Sequence, residues 1–331
     1  MSKLVTHFLR NNQIESSHNI KCIISSVNNV KIFSTNNEND HIYPRSSIKI
    51  FQAIPFVQSR AIKIFNLNSK KISLSCSSHR GENYHITELM KWSKNIGVNN
   101  KILKCGVHLP LNKVASEKFI KSKKNLNEFY NNCAGKHLAM VTSCLANDFT
   151  TKNYLNFSHP HQINIRKIFE EFTETIISKR HYGIDGCSAP QYAFKIIDLS
   201  KALNNLLKSY NNNFNYNLET TTLINSIIKN PKFIGGSDSL DSNLMSICKN
   251  NLFCKGGAEG IFLFIHLKKR ITGVFKVQDG NERALPSTVY NILKKFKIVS
   301  KKELENIKRS YNFDLKNHAN VNVGSIITEI L

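Results

Sequence analysis

The feature that most constrains the fold of this chain is where its strand-like and helix-like segments fall. Residues 19–34, NIKCIISSVNNVKIFS, hold two β-rich runs around Val27-Asn28-Asn29, the pattern of a hairpin. GIFLFIHL (260–267) and ITGVFKV (271–277), joined by Lys-Lys-Arg, form a second such pair, and SIITEI near the end reads as a strand. The 162–178 and 190–210 stretches carry a 3.6-residue apolar period. Helical readings also cover Arg45 towards Phe65, 84–96, 136–147, 221–229, 241–249 and 284–299. Strands at both ends with helices between exclude the strand–helix alternation of a doubly wound sheet. They predict an α+β chain: one mostly antiparallel sheet from about 1–45 and 250–331, a mostly helical middle at about 84–249, and a single domain over 1–331.

The chain has 331 residues, 41% of them hydrophobic, enough for a sizeable core. Its formal net charge is +23, which raises nucleic acid as a partner. The cations are scattered, however, as KSKK (121–124), KKR (268–270) and paired lysines at 294–295 and 301–302. No arginine-rich arm, zinc-finger spacing or RNP-like aromatic motif accompanies them. The accompanying wealth of Asn, Ile and Phe points instead to compositional drift in an AT-rich genome, so no specific nucleic-acid partner is expected.

Eight cysteines, at 22, 76, 105, 133, 144, 187, 248 and 254, are too sparse for a disulfide scaffold. No run reaches the ~20 apolar residues of a membrane helix, and MSKLVTHFLRNNQ lacks a signal-peptide core. The expectation is a cytoplasmic protein with free thiols and no membrane partner.

Five short stretches hold residues suited to chemistry. In PRSSIKIFQ (44–52), Ser46-x-x-Lys49 puts a hydroxyl and an amine one helical turn apart. A neutral lysine can take a serine's proton, but in a chain with 46 Lys and Arg this spacing also arises by chance. In SLSCSSHRGENYH (73–85) a strand-like run ends in small polar residues, among them Ser78 and His79. In NNCAGKHLAM (131–140) Cys133, Lys136 and His137 fall in the first turn of a helix. In YGIDGCSAPQ (182–191) Asp185 and Cys187 sit in a glycine-rich turn read as preceding a helix. Two cysteines so far apart are no zinc motif, and two buried thiols is the simpler reading; with a further ligand and water they would still serve a metal. In CKGGAEGIF (254–262) Lys255 precedes the glycines, which excludes a phosphate-binding loop. The stretch is similar to the K-T-G box of serine β-lactamases and penicillin-binding proteins, with Gly256 in place of Thr.

With PRSSIKIFQAIP, SCSSHRGE, CGVHLPLN, NNCAGKH, IDGCSAP, CKGGAEG and FKVQDGNERA occurring in that order, the chain resembles the asparaginase II family, the Rhizobium-type L-asparaginases, from about residue 4 to the end. CGVHLPLN (105–112) departs slightly from the family's usual pattern and has no evident chemical role. The resemblance implies a serine β-lactamase or penicillin-binding-protein-like fold with three α/β/α layers, and a homodimer. It implies hydrolysis of L-asparagine to aspartate and ammonia. Catalysis would rest on two serine–lysine pairs, Ser46 with Lys49 and Ser78 with Lys255. Zinc would be held by Cys133, Lys136 and Cys187, with Asp185 close by. Arg45, His79, Glu82, Asn131 and His137 are further candidates for holding substrate.

On this reading a lysine whose pKa is lowered by a neighbouring cation deprotonates a serine. Ser46 is favoured as the attacking group, because a helix start stabilises developing negative charge. Should the base be a carboxylate instead, Asp185 and Glu82 are the first suspects. The alternatives are a β-lactamase-like hydrolase or transferase acting on another amide or ester, and a basic nucleic-acid-binding protein. The latter offers no reason for these serines, lysines and cysteines to coexist.

Overall fold

A computed structural model describes residues 2–331. Its main element is an eight-stranded antiparallel sheet. Across it run Asp314–Lys316, Asn322–Ile330, Leu4–Arg10, Gln13–Ser26, Ile271–Val277, Ile261–His266 and Leu252–Gly257, with Lys31–Ser34 paired to the Gln13–Ser26 strand. The two ends of the sequence meet in the sheet: Leu4 lies opposite Ile330, and Val5 lies opposite both Glu329 and Asn19.

Helices cover both faces. Thr6 lies opposite His18 and its Oγ1 meets Thr288 Oγ1 at 2.7 Å, on the Leu285–Lys295 helix. Ser25 is an odd number of residues beyond His18 along the same strand, so it faces the other way. Its Oγ meets Ser200 Oγ at 3.1 Å, on the Ile196–Tyr210 helix. With both faces covered, consecutive residues Ile23 and Ile24 are each buried, and three layers result.

The helical middle packs around the Lys49–Gln58 helix, whose residues 49–56 are all buried. Phe51 meets Phe169 and Phe172 with ring centroids 5.8 and 5.1 Å apart, and Phe56 meets Trp92 at 5.5 Å. Each such ring contributes about 1.5–3 kcal/mol by leaving water.

Several segment readings need correction. SLSC (73–76), read as strand-like, lies in the Ser69–Ser75 helix and its C-cap. Asn68 caps that helix by accepting the Lys71 N–H at 3.1 Å, and full burial of residues 71–75 makes alternation uninformative. The helix expected over 190–210 begins at Ile196. Pro190–Tyr192 is instead a strand paired with Tyr182–Ile184, so the turn carrying Asp185 and Cys187 is a hairpin tip and does not lead into a helix. The helix expected over 162–178 ends at Thr173, where Glu174 takes a left-handed φ of 55°. Lys255 and its glycines do precede the Ile261–His266 strand, and they themselves form an edge strand, Leu252–Gly257, that sequence reasoning missed.

Candidate active site

The Arg45–Ile48 turn feeds directly into the Lys49–Gln58 helix, so Ser46 stands at the entrance and Lys49 one turn inside. The nearest strand fits tightly against this turn. A Cβ on Gly257 would lie 2.8 Å from the Pro44 carbonyl and 3.3 Å from the Ser46 nitrogen. Only glycine lets the strand backbone come this close.

Gly135 does the same for the second serine. A Cβ there would lie 2.1 Å from the Leu74 carbonyl oxygen. Its absence seats the Ser69–Ser75 helix, which leads into Ser77 and Ser78, on the start of the Ala134–Ala146 helix.

The two lysines converge on one hydroxyl. Lys49 Nζ donates to the Ser77 carbonyl and lies 3.1 Å from Ser78 Oγ. Lys255 Nζ also lies 3.1 Å from Ser78 Oγ, and it donates to the Gly256 carbonyl at 2.8 Å. Burial pushes the Lys255 amine down to about 8, the charge of Lys49 acts in the same direction, and Asp241 opposes both. Ser46 is half-buried and makes no side-chain hydrogen bond among the described residues. It shares with Ser78, Lys255, Gly257, Asp241 and Glu282 the lining of a cleft of about 510 Å³. The expected pairing is thus redrawn: Lys49 contacts Ser78, and Ser46 shares the cleft with Lys255 but not with Lys49.

Beside it lies a compact sulfur–amine cluster. Lys136 Nζ is 3.0 Å from Cys187 Sγ. The neighbouring Cys133 thiol, with the Lys136 charge, pulls Cys187 down to about 5 against the cost of burial. The Cys133 thiol goes up to about 12 through the nearness of Cys187 and through burial. Burial works against the Lys136 ammonium, but Cys187, Cys133 and Asp185 outweigh it and raise its affinity for the proton. The cluster thus balances one thiolate, one thiol and one ammonium. Among the described residues no group of three or more His, Cys, Asp or Glu side chains is arranged for a metal. The third donor here is a lysine, and two thiols with an amine, each buried and converging, suit zinc.

The remaining candidates divide between the sulfur cluster and scaffolding. Asp185 Oδ1 accepts from Arg45 Nε at 2.9 Å, and its Oδ2 lies 3.9 Å from Cys187 Sγ. Burial would raise this carboxyl, yet Lys136 and Arg45 keep it below the usual range. Asn131 is buried, donates to the Cys105 carbonyl at 2.8 Å and accepts the Cys133 N–H at 2.8 Å. His137 meets the Tyr154 hydroxyl at 2.6 Å, and burial pushes it down to about 3. His79 stacks on His85 with centroids 5.1 Å apart, and burial keeps it neutral. Glu82 accepts from Ser237 N–H, Ser237 Oγ and the Tyr84 hydroxyl at 3.0, 2.7 and 2.8 Å. It clamps the 235–239 loop and does not line the cleft.

The CGVHLPLN segment now has a role. Asn132 N–H donates to His108 Nε2 at 2.9 Å, and Gly81, at a φ of +73°, sits where a Cβ would strike Pro110 at 2.8 Å. The segment ties the SHRGE and NNC turns together. Sequence reasoning missed Asp241 and Glu282 in the cleft wall. Asp241 follows an ordinary N-cap serine, Ser239, and nothing in that pattern tells that its carboxylate turns inward.

The sequence model of the family described as L-asparaginase II matches residues 6–328. This match makes the protein a hydrolase of linear amide C–N bonds. The chain belongs to the L-asparaginase II family, whose activity is the hydrolysis of L-asparagine. No curated protein sequence matches the chain. Among solved structures it is similar to a "putative beta-lactamase from Bacteroides dorei DSM 17855", with 10% identity and a TM-score of 0.42, over 88% of this chain and 93% of that one. No helix is long and apolar enough to cross a membrane among the described residues.

Proposed function

We propose that the chain hydrolyses the side-chain amide of L-asparagine through an acyl-enzyme on Ser46, with Ser78 as proton relay and Lys255 as base. The observation that carries this reading is the pair of 3.1 Å contacts from Lys49 Nζ and Lys255 Nζ to Ser78 Oγ. A hydroxyl has two lone pairs and one proton. When Lys255 is neutral its nitrogen accepts the Ser78 hydroxyl proton, one Ser78 lone pair meets Lys49, and the other is left to take a proton from Ser46, which suits Ser78 to passing protons. Ser46 keeps its lone pairs free and opens on the same cleft.

In the first half-reaction Ser46 Oγ bonds to the amide carbon, and its proton passes through Ser78 to neutral Lys255. The carbon–nitrogen bond then breaks, and the proton returns through Ser78 to the departing nitrogen, which leaves as ammonia. In the second half, water adds to the ester carbon and its proton follows the same route to Lys255; the Ser46–acyl bond then breaks, the proton returns through Ser78 to Ser46 Oγ, and aspartate is released.

Zinc binding by Cys133, Lys136 and Cys187 belongs to the same proposal. When bound, the ion would supply a fixed positive charge beside the cleft that orients the substrate's polar groups. Assembly as a homodimer in the cytoplasm completes the proposal, and sizing in solution tests the assembly.

The test is ammonia release from asparagine, glutamine and a chromogenic lactam, with peptide mapping of enzyme quenched during turnover. Asparagine should be preferred and the acyl adduct should map to Ser46. Preference for the lactam would favour a β-lactamase-like acyl hydrolase. In a second reading Lys255, 3.1 Å from Ser78 Oγ, takes the proton of Ser78 while Ser78 itself attacks, and an adduct on Ser78 would establish it.

A further inference from the structure

The cleft holds one buried charge that this mechanism leaves without a part. Asp241 lies in the first turn of the Leu240–Ile247 helix and is 5% exposed. Its Oδ2 accepts the Gly256 N–H at 3.1 Å and lies 3.5 Å from Lys255 Nζ. Its Oδ1 accepts the Ser242 N–H at 2.8 Å. Burial would raise this carboxyl, but Lys255, the Gly256 N–H, Ser239 and the Ser242 N–H together hold it below the usual range. It is therefore a fixed negative charge.

Its geometry bears on Lys255 twice. A lysine ammonium has three N–H groups. At Lys255 they have three acceptors: Ser78 Oγ, the Gly256 carbonyl and Asp241. Contacts to three separate groups restrict where the amine can point. The same carboxylate also grips the backbone of the next residue, Gly256, so main chain and amine share one anchor.

The charge balance matters as well. Lys255 faces Lys49 from the helix, Cys133 from the sulfur cluster, Asp241 from its own helix and Glu282 from the turn after the Ile271–Val277 strand. Burial and Lys49 both favour the neutral amine. A permanently neutral amine would accept the serine's proton with little drive and would hold none for the departing ammonia.

We propose that Asp241 is a positioning residue for the reaction: it aims the Lys255 amine at Ser78 Oγ and keeps that amine able both to take a proton and to give it back. The proposal rests on the reading of Lys255 as base.

The test compares wild type, Asp241→Asn and Asp241→Glu in two measurements. One is the pH–rate profile for asparagine. The other is the NMR titration of 13Cε-labelled lysine, with Lys255 assigned by its loss in Lys255→Met. Removing the carboxylate removes what opposes burial and Lys49, so in Asp241→Asn both the Lys255 titration and the rising limb should move to lower pH, by on the order of one unit. The plateau rate should fall at least tenfold, and Asp241→Glu should restore the limb towards its wild-type position. A folded Asp241→Asn whose Lys255 titrates as in wild type overturns the proposal. If Lys255 shifts while the rate limb stays, Asp241 governs Lys255 as proposed, and it is the assignment of Lys255 as base that falls. Should Asp241→Asn fail to fold, Asp241→Ala with and without added formate replaces it. Formate entering from the cleft should return the limb, and a limb indifferent to formate overturns the proposal.

Discussion

Lys49 and Lys255 each place Nζ 3.1 Å from the same oxygen, Ser78 Oγ, although one comes from the central helix and the other from the edge strand of the sheet. Two cations on one hydroxyl disfavour each other, so the neutral state of one is reached at an accessible pH. The shared oxygen then connects them.

Ser46→Ala and Ser78→Ala should each lower the asparagine turnover rate by about 10²–10⁴-fold, with little change in thermal midpoint, since each removes one partly exposed hydroxyl. Steady-state kinetics beside a melting curve checks this. Retention of more than about a tenth of the wild-type rate by either variant, a loss of under ~1.4 kcal/mol, would remove that serine from the mechanism.

The asparagine rate should rise as pH passes through about 8, where Lys255 loses its proton. The sign of a second effect is fixed by the same contacts. Lys49 favours the neutral form of Lys255, so Lys49→Met should move the residual activity's limb to higher pH. Profiles at constant ionic strength read both effects. A wild-type peak below about pH 6 would point to a carboxylate base.

Gly135→Ala should loosen the whole site from a distance. The new methyl would lie 2.1 Å from the Leu74 carbonyl, so the Ser69–Ser75 helix must move. Overpacking of this kind costs about 1–3 kcal/mol, and displacing Ser78 should lower the rate as well. Urea unfolding with parallel assays measures the two losses; unchanged values in both would show that the contact relaxes without consequence.

Protein prepared without chelator should carry one zinc per chain, and Cys133→Ser or Cys187→Ser should lose it. Elemental analysis decides, and full occupancy in both variants would end the zinc assignment.

The +23 charge should produce only weak, unselective binding to duplex DNA that vanishes at moderate salt, because scattered lysines reach few phosphates together. Sequence-selective retention at physiological salt would contradict the compositional reading of the charge.

Much of this was legible in the sequence, for reasons that also explain the gaps. The end-loaded strands were readable because both hairpins carry apolar runs with turn residues between. Ser46, Lys49, Ser78 and Lys255 stood out only through the resemblance, carried by seven short stretches in family order, since the Ser46–Lys49 spacing by itself also arises by chance. Which lysine touches which serine was not readable, since that depends on how the Ser69–Ser75 helix rests on Gly135. That helix was itself misread because burial on every side erased its period. Asp241 went unnoticed because an acidic residue in a first helical turn is commonplace, and only the fold turns this one towards Lys255.

The strand Leu4–Arg10 lies between neighbours from opposite ends of the sequence, with Leu4 against Ile330 on one side and Arg10 against Gln13 on the other. A nascent chain can therefore form its first hairpin early but must leave one long edge of that strand open until Asn322–Ile330 has been synthesised. Closing so distant a pairing is slow, and an open edge is prone to pair with other chains. Lys255, near the far end of the same sheet, arrives almost as late. Recovery of activity after denaturation should thus trail recovery of helical signal, and the open edge is exposed to other chains for that interval.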